Sequence, residues 1–269
     1  MSFFIRLICY LLFTFYAYPA ALFAEGQINI PILCYHNFNP TVPGSMSLKP
    51  SKFEAQIKWI QDNGFTVIPL KEAVAYLAGE RASLPPKAVV ITVDDGWQSV
   101  YTYMLPLVKK YHIPVTLFIY PETISKGAHA LTWNELEELQ KIPFFDIQSH
   151  TYSHPNFKQE KRHRSFASYE KFVTAELVNS KKILEEKLGK KITLLAWPFG
   201  IYDKYLEQKA AEAGYTMAFS IDARTANKSY RSMAQPRFMI VDGQSTKTFQ
   251  AIINGANAKS RVEKSNRSQ

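Results

Sequence analysis

Two adjacent carboxylates, Asp94 and Asp95, follow directly on Val89–Val93, a run of five β-branched residues, and Gly96 comes next. Like charges on neighbouring residues repel, and the pair costs stability unless a cation or a proton absorbs the charge. Asp-Gly is also a common turn pair, so alone the segment fits a polar turn equally well. A second group shifts that balance. His150-Thr-Tyr-Ser-His154 holds two imidazoles with three residues between them, a spacing that lets both reach one ion. Pro155 disfavours helical backbone at His154 and so places the pair in a loop; the alternative is two histidines on a solvated surface loop. With Asp95 as a third ligand and one position open, the set suits Zn²⁺, or another late first-row ion such as Co²⁺ or Ni²⁺. Such an ion brings the pKa of its water to about 7. Asp94 is then free to serve as a base on that water.

These residues need elements that bring them to one place. Hydrophobic patterning predicts strands over Ile28–Tyr35, Phe65–Ile68, Ala88–Val93, Val115–Tyr120, Phe144–Gln148, Ile192–Trp197, Met217–Ser220 and Arg237–Val241. Pro40–Pro50 reads as a loop. Helices are predicted in the intervals: one carrying Phe53, Ile57 and Ile60 and closing near Gly64, then Leu70–Leu77, Tyr103–Tyr111 and Thr132–Lys141, the last with a Thr132/Glu135 capping box. Tyr169–Leu188, capped by Ser168 and stopped by Gly189, follows, then Asp203–Ala213 and a final helix from Thr246. Strands alternating with helices mean right-handed βαβ units and a parallel sheet, an α/β class, and seven or eight strands close naturally as a barrel. In such barrels the working residues gather at the carboxyl ends of the strands. His36, Asp94, Asp95, His150, and Pro198 with Phe199 each stand at or just after such an end.

The 269 residues fit one barrel domain, and the 46% hydrophobic content supplies a core of enzyme size. Residues 1–24 read differently: Arg6, an apolar run from Leu7 to Tyr18 and small residues ending at Ala24 describe a secretory signal peptide. The domain proper is expected over 25–255, followed by a basic, disordered tail over 256–269. Loss of Cys9 with the leader leaves Cys34 without an intrachain partner, which fits a periplasmic or secreted protein that has no disulfide scaffold. No stable membrane span is expected after removal of the leader. The net charge of +9 favours anionic partners such as envelope polymers, although much of the excess sits in the tail. Lys158, Lys161, Arg162, His163 and Arg164 read as a solvated face rather than an anion-binding rim.

Thr92-Val-Asp-Asp-Gly96 and His150-Thr-Tyr-Ser-His154 resemble the first two motifs of the polysaccharide deacetylases, carbohydrate esterase family 4, over roughly Ile30 to Phe249. The resemblance implies a distorted (β/α)7–8 barrel in a single domain. It implies Asp94 as general base, Asp95, His150 and His154 as metal ligands, and a backbone N–H near Tyr152 that joins the metal in stabilising the oxyanion. A general acid must protonate the leaving amine. Many members use a histidine near the C-terminus, but none follows His163 here; Pro31-Ile-Leu-Cys-Tyr-His36 resembles a permuted branch, including deacetylases of poly-N-acetylglucosamine, in which the acid ends the first strand. His36 is the expected acid.

Ala196-Trp-Pro-Phe-Gly200 departs from the family's third motif, which carries an arginine that orients the base. Arg237 is the candidate substitute, a surface ion pair being the alternative, with Asp222 a less favoured orienting group. Trp197 and Phe199 are candidates to wall a sugar or acetyl pocket, buried packing being the alternative, and Trp97 is a candidate to stack on a pyranose ring, plugging the barrel rim being its alternative. The expected partner is an N-acetylated polysaccharide or oligosaccharide, not nucleic acid, and the expected reaction is metal-dependent hydrolysis of its N-acetyl groups to acetate and free amine. The rivals are a catalytically silent glycan-binding protein on the same barrel and a metal-dependent amidase for a non-sugar amide.

Overall fold

The computed structural model of the protein describes residues 28–41 and 44–255, so the expected leader and basic tail lie outside the described residues. The chain begins with β1 (Ile32–Tyr35). Two short strands, β2 (Asn37–Phe38) and β3 (Ser47–Leu48), pair with each other where a plain loop was expected. Then follow α1 (Pro50–Asp62), β4 (Thr66–Val67), α2 (Leu70–Leu77), β5 (Ala88–Asp95), one π-helical turn at Val100–Met104, α3 (Leu105–Tyr111), β6 (Val115–Ile119) and α4 (Trp133–Gln140). The second half runs through β7 (Phe145–Ser149), α5 (Phe157–His163), α6 (Phe166–Leu188), β8 (Leu194–Ala196), α7 (Lys204–Glu212), β9 (Met217–Phe219), β10 (Phe238–Met239) and α8 (Thr246–Ile253).

The strands lie side by side in the order β10-β1-β5-β6-β7-β8-β9, with β4 beside β5, and every pairing in this sheet is parallel. The two ends meet through Gln235, which bridges Phe219 of β9 just ahead of β10. Its amide donates to Ala218 O at 2.9 Å, and its carbonyl accepts from Ser220 N at 2.8 Å. The curled sheet therefore completes its circuit through a single short stretch.

The pleat sorts the side chains. Leu33, Tyr35, Val89, Ile91, Val93, Leu117, Ile147 and Leu195 belong to the larger buried cluster, which they share with α1, α3, α4 and α6. The alternate residues Ile32, Val90, Phe118, Leu194, Ala196, Met217 and Phe219 form a second cluster inside the curl. Continuing the inward parity by one or two residues brings Cys34 and His36 from β1, Thr92 and Asp94 from β5, and His150 from β7 to the carboxyl end of that interior. An apolar floor and a polar mouth thus come from one alternation.

Some elements differ from the sequence expectation. β5 runs through both aspartates instead of stopping at Val93, so Asp94 is a paired strand residue opposite Phe118. α6 begins at Phe166 under Ser165, whose side chain accepts from Ser168 N; Ser168, the expected cap, lies in the first turn. α5 was not expected, since its basic composition masked the cap at Asn156, whose side chain accepts from Gln159 N. Lys161, Arg162 and His163 then occupy the last turn, where cations suit the helix dipole. The Thr132/Glu135 capping box forms as expected. No helix among the described residues is long and apolar enough to cross a membrane.

Candidate active site

Asp95 closes β5 with φ at +80°, and Gly96 follows at +88°. This left-handed corner turns the Asp95 side chain across the mouth toward β7. A Cβ on Gly96 would stand 3.1 Å from Ile124 Cδ1 and 3.3 Å from Ile119 Cδ1, so a side chain there would be crowded as well as strained by the positive φ. Asp95 Oδ1 lies 3.6 Å from His150 Nε2 and 3.5 Å from His154 Nε2. Ligands about 2.1 Å from a tetrahedral ion stand about 3.4 Å from one another, so these separations match one shared divalent ion. Two further observations fit such an ion. Asp95 Oδ1 is a buried acceptor with no hydrogen-bond partner, and the His150 ring is oriented by its Nδ1, 2.8 Å from Ala196 O, which leaves Nε2 facing Asp95. Trp97 Nε1 donates to Asp95 Oδ2 at 3.0 Å and holds the carboxylate from the other side.

Asp94 is enclosed, with 1% of its surface exposed, and Arg237 beside it is fully buried. Nη1 and Nη2 of Arg237 donate to Oδ1 and Oδ2 of Asp94 at 2.8 and 2.7 Å, a two-pronged pair in which both partners are held planar. The guanidinium also donates to Thr92 Oγ1 and to Ser220 O, each at 3.0 Å, and lies 5.2 Å above the Phe118 ring. Burial pushes the Asp94 carboxyl up, but the Arg237 charge, with help from His150, overrides it and holds the group well below the usual carboxylate range. A buried carboxylate that stays ionised and faces the metal donors, with His150 Nε2 3.8 Å from its Oδ2, is equipped to accept a proton.

On the far side of Asp94 stand Cys34 and His36, each with a donor atom within 4.8 Å of the carboxylate and of the other. The Cys34 thiol donates to Asp94 Oδ2 at 3.3 Å, and burial pushes its pKa well up, so it acts there as a neutral donor. A cation in this second group would meet the Arg237 guanidinium, which already occupies both Asp94 oxygens; the Asp95 set is therefore the better metal site. His36 is buried with its Nδ1 unpartnered. Burial lowers its pKa, and the Asp94 and Asp95 charges oppose that fall.

The remaining expected site residues divide. Phe199 is 56% exposed, in left-handed backbone, with its ring 4.6 Å from His154 at the rim. Trp97 lines a cleft of about 300 Å³ beside Asp95, together with Tyr120, Lys126 and His129. Trp197 does not reach the mouth: it continues the outward parity of β8, packs on Phe157 in the outer core and donates through Nε1 to Met233 O, and Pro198 is buried behind it. The Tyr152 amide, expected near the oxyanion, is instead committed to Glu176 Oε2 at 3.0 Å. Asp222 accepts from Tyr202 and Ser220 and leaves Asp94 to Arg237. In the basic run Lys161 pairs with Asp203 and Arg164 with Glu160, a solvated face as expected. Cys34 and Glu176 were not foreseen; the inward parity of β1 was a sufficient signal for the first.

A parallel α/β barrel whose mouth sets an Asp-His-His donor group against an arginine-held carboxylate is the framework of a hydrolase. The chain belongs to the polysaccharide deacetylase family, whose sequence pattern matches residues 81–218, and members of that family hydrolyse N-acetyl amide bonds of carbohydrates. His36 and Arg237 fall outside the matched segment. Among relatives, a Bacillus subtilis protein named for the polysaccharide deacetylases, YxkH, is 28% identical over 85% of this chain and 77% of its own. The poly-β-1,6-N-acetyl-D-glucosamine N-deacetylase of Staphylococcus aureus is 26% identical over 73% of this chain and 68% of its own. The fold is that of the Streptococcus pyogenes deacetylase PplD (TM-score 0.75, 24% identity, 84% of this chain and 99% of that one). IcaB from Ammonifex degensii is also similar (TM-score 0.73, 22% identity, 84% and 96%).

Proposed function

We propose that the protein is an exported, divalent-metal-dependent N-deacetylase of a polysaccharide, with poly-β-1,6-N-acetylglucosamine as the first candidate substrate. The observation that carries this reading is the placement of three unlike groups around one mouth. They are the Asp95, His150 and His154 donors, the Asp94 carboxylate locked by Arg237, and His36 beyond it. Asp95, His150 and His154 would hold the ion, preferably Zn²⁺, which when bound would supply a Lewis acid and a more acidic water.

Asp94 takes a proton from the attacking water as its oxygen bonds to the carbonyl carbon. Arg237 fixes which oxygens of Asp94 face that water and keeps the base ionised. His36 gives a proton to the amide nitrogen as the C–N bond breaks, releasing acetate and leaving the free amine on the sugar. With the Tyr152 amide engaged, the oxyanion's backbone donor has to come from another loop; in Pro198–Gly200, which carries Phe199 over His154, Pro198 has no N–H and Gly200 N donates to Trp197 O, which leaves the Phe199 N–H as the candidate. Phe199 and Trp97 wall the sugar. A silent binding protein has no use for a buried base, its arginine and an acid around one ion donor set.

The apolar segment Leu7–Tyr18 and the small residues before Glu25 support export to the periplasm or beyond, which N-terminal sequencing of the mature protein checks. The reaction is tested by acetate release from poly-β-1,6-N-acetylglucosamine and from chitin oligomers after chelation and again after Zn²⁺ is restored, beside Asp94→Asn. Activity that returns with metal in the native enzyme and stays absent in Asp94→Asn is expected. Turnover that ignores both chelation and Asp94→Asn would refute the mechanism.

A further inference from the structure

Both histidine ligands sit on the loop after β7, and that loop holds two non-glycine residues in left-handed backbone, Thr151 at φ +64° and His154 at +56°. Such residues persist only where their surroundings over-determine them. What determines them here comes from a helix remote in sequence. Glu176 of α6 is 4% exposed and lies on the buried stripe that includes Val173 and Leu177. Burying a carboxylate there is unfavourable unless it is fully hydrogen-bonded. Its three bonds all come from two adjacent residues of the ligand loop: Tyr152 N at 3.0 Å and Ser153 N at 2.8 Å to Oε2, and Ser153 Oγ at 2.6 Å to Oε1.

One turn further along the same face, Ser180 is fully buried with its Oγ 2.8 Å from that of Ser149 at the end of β7. Ser149 in turn accepts from Tyr215 OH at 2.8 Å and from Thr151 N at 3.2 Å. One helix face thus grips the chain before His150 and again between the two histidines, and neither grip uses a metal ligand.

We propose that Glu176 is a positioning residue that presets the His150–His154 geometry for the ion. The proposal rests on the reading that Asp95, His150 and His154 hold a divalent metal. Glu176 accepts the two amides that point inward when the loop passes from Thr151 to His154, so the histidines face Asp95 before any ion arrives. In Glu176→Ala those amides lose their acceptor, and the ion must then order the loop itself.

The test is Co²⁺ and Zn²⁺ affinity of the metal-free protein, with the Co²⁺ visible spectrum and thermal unfolding measured beside it. Glu176→Ala is expected to bind either ion about 10–100-fold more weakly, with a changed Co²⁺ spectrum. Glu176→Gln keeps an oxygen for the amides and offers an NH₂ to Ser153 Oγ, and it is expected to recover most of the affinity. A Glu176→Ala protein that melts earlier yet binds Co²⁺ with native affinity and spectrum would show a merely structural role and overturn the proposal.

Native protein that binds no ion would overturn the metal reading itself, and is read before any variant. Should Glu176→Ala not fold, amide exchange in the metal-free native protein decides. Slow exchange at Tyr152 and Ser153 is expected, and exchange as fast as in an open loop overturns the proposal.

Discussion

Replacing Arg237 with methionine keeps the unbranched apolar stem of the side chain but removes the guanidinium that faces Asp94, and the outcome follows from the burial of both groups. Asp94 is 1% exposed and makes both strong contacts to this one guanidinium, so Arg237→Met leaves a carboxylate in the barrel interior with His150, His36 and the Cys34 thiol as its remaining polar neighbours. Breaking a buried pair in this way costs about 3–5 kcal/mol, a large share of the roughly 5–15 kcal/mol that holds a domain folded.

The sign with pH distinguishes this from ordinary loss of packing. In the native protein the folded pKa of Asp94 lies below the ordinary value of 3.8, so the pair's contribution is present above that pH and disappears as pH falls through the depressed value. In Arg237→Met, burial, the largest influence on this carboxyl, is no longer overridden by the arginine, and the folded pKa rises above the ordinary value. The variant's deficit is therefore greatest at neutral pH and narrows on acidification. Urea unfolding of both proteins between pH 4 and 8 measures the gap. The acid limb of the pH–rate profile is expected to move up in the variant, and Asp94→Asn/Arg237→Met is expected to recover stability but not activity. A gap below about 1 kcal/mol, or one constant with pH, would refute the reasoning.

Three further outcomes are expected. In the metal-free protein burial and the neighbouring His150 bring the His154 pKa down to about 4 against 6.5 when unfolded. The unfolded chain therefore takes up that proton first, and stability is lost as pH falls from 6.5 to 4, by about 3 kcal/mol at about 1.4 kcal/mol per unit, seen as a falling urea midpoint. His36→Gln is expected to lower kcat about 10²–10⁴-fold while Zn²⁺ affinity stays unchanged in a chelator competition. Phe199→Ala, at an exposed rim position, is expected to raise KM for acetylated oligosaccharides with a change in stability within about 0.5 kcal/mol.

The groups around the mouth were legible because they stand where strands end, and strand ends are marked by β-branched runs that stop. His36, Asp94, Asp95 and His150 were readable on that basis, and Arg237 because the last predicted strand begins with it, although β10 itself starts one residue later. Parity was the unused half of the signal: counting alternate residues along β8 sends Trp197 outward to Phe157, and along β1 brings Cys34 inward to Asp94. The fate of the Tyr152 amide was not readable locally, since its acceptor lies 24 residues away on α6. The available hint was that Glu176 and Ser180 interrupt an otherwise apolar face carrying Val173, Leu177 and Leu184. α5 escaped because a run of charge says little about backbone when no apolar stripe accompanies it.

The circuit of strands closes last at the Gln235–Met239 stretch, and Arg237 sits within it, 143 residues after the aspartate it serves. During synthesis, everything needed to bury Asp94 on β5, β6 and β7 emerges well before the counter-charge does. An incomplete chain that ends short of this stretch has a reason to stay open at β1 and β5, because closing over a lone carboxylate is unfavourable. The arginine thereby ties burial of the Asp94 carboxylate to arrival of the C-terminal strand, so the barrel interior and its charge balance are completed in one step.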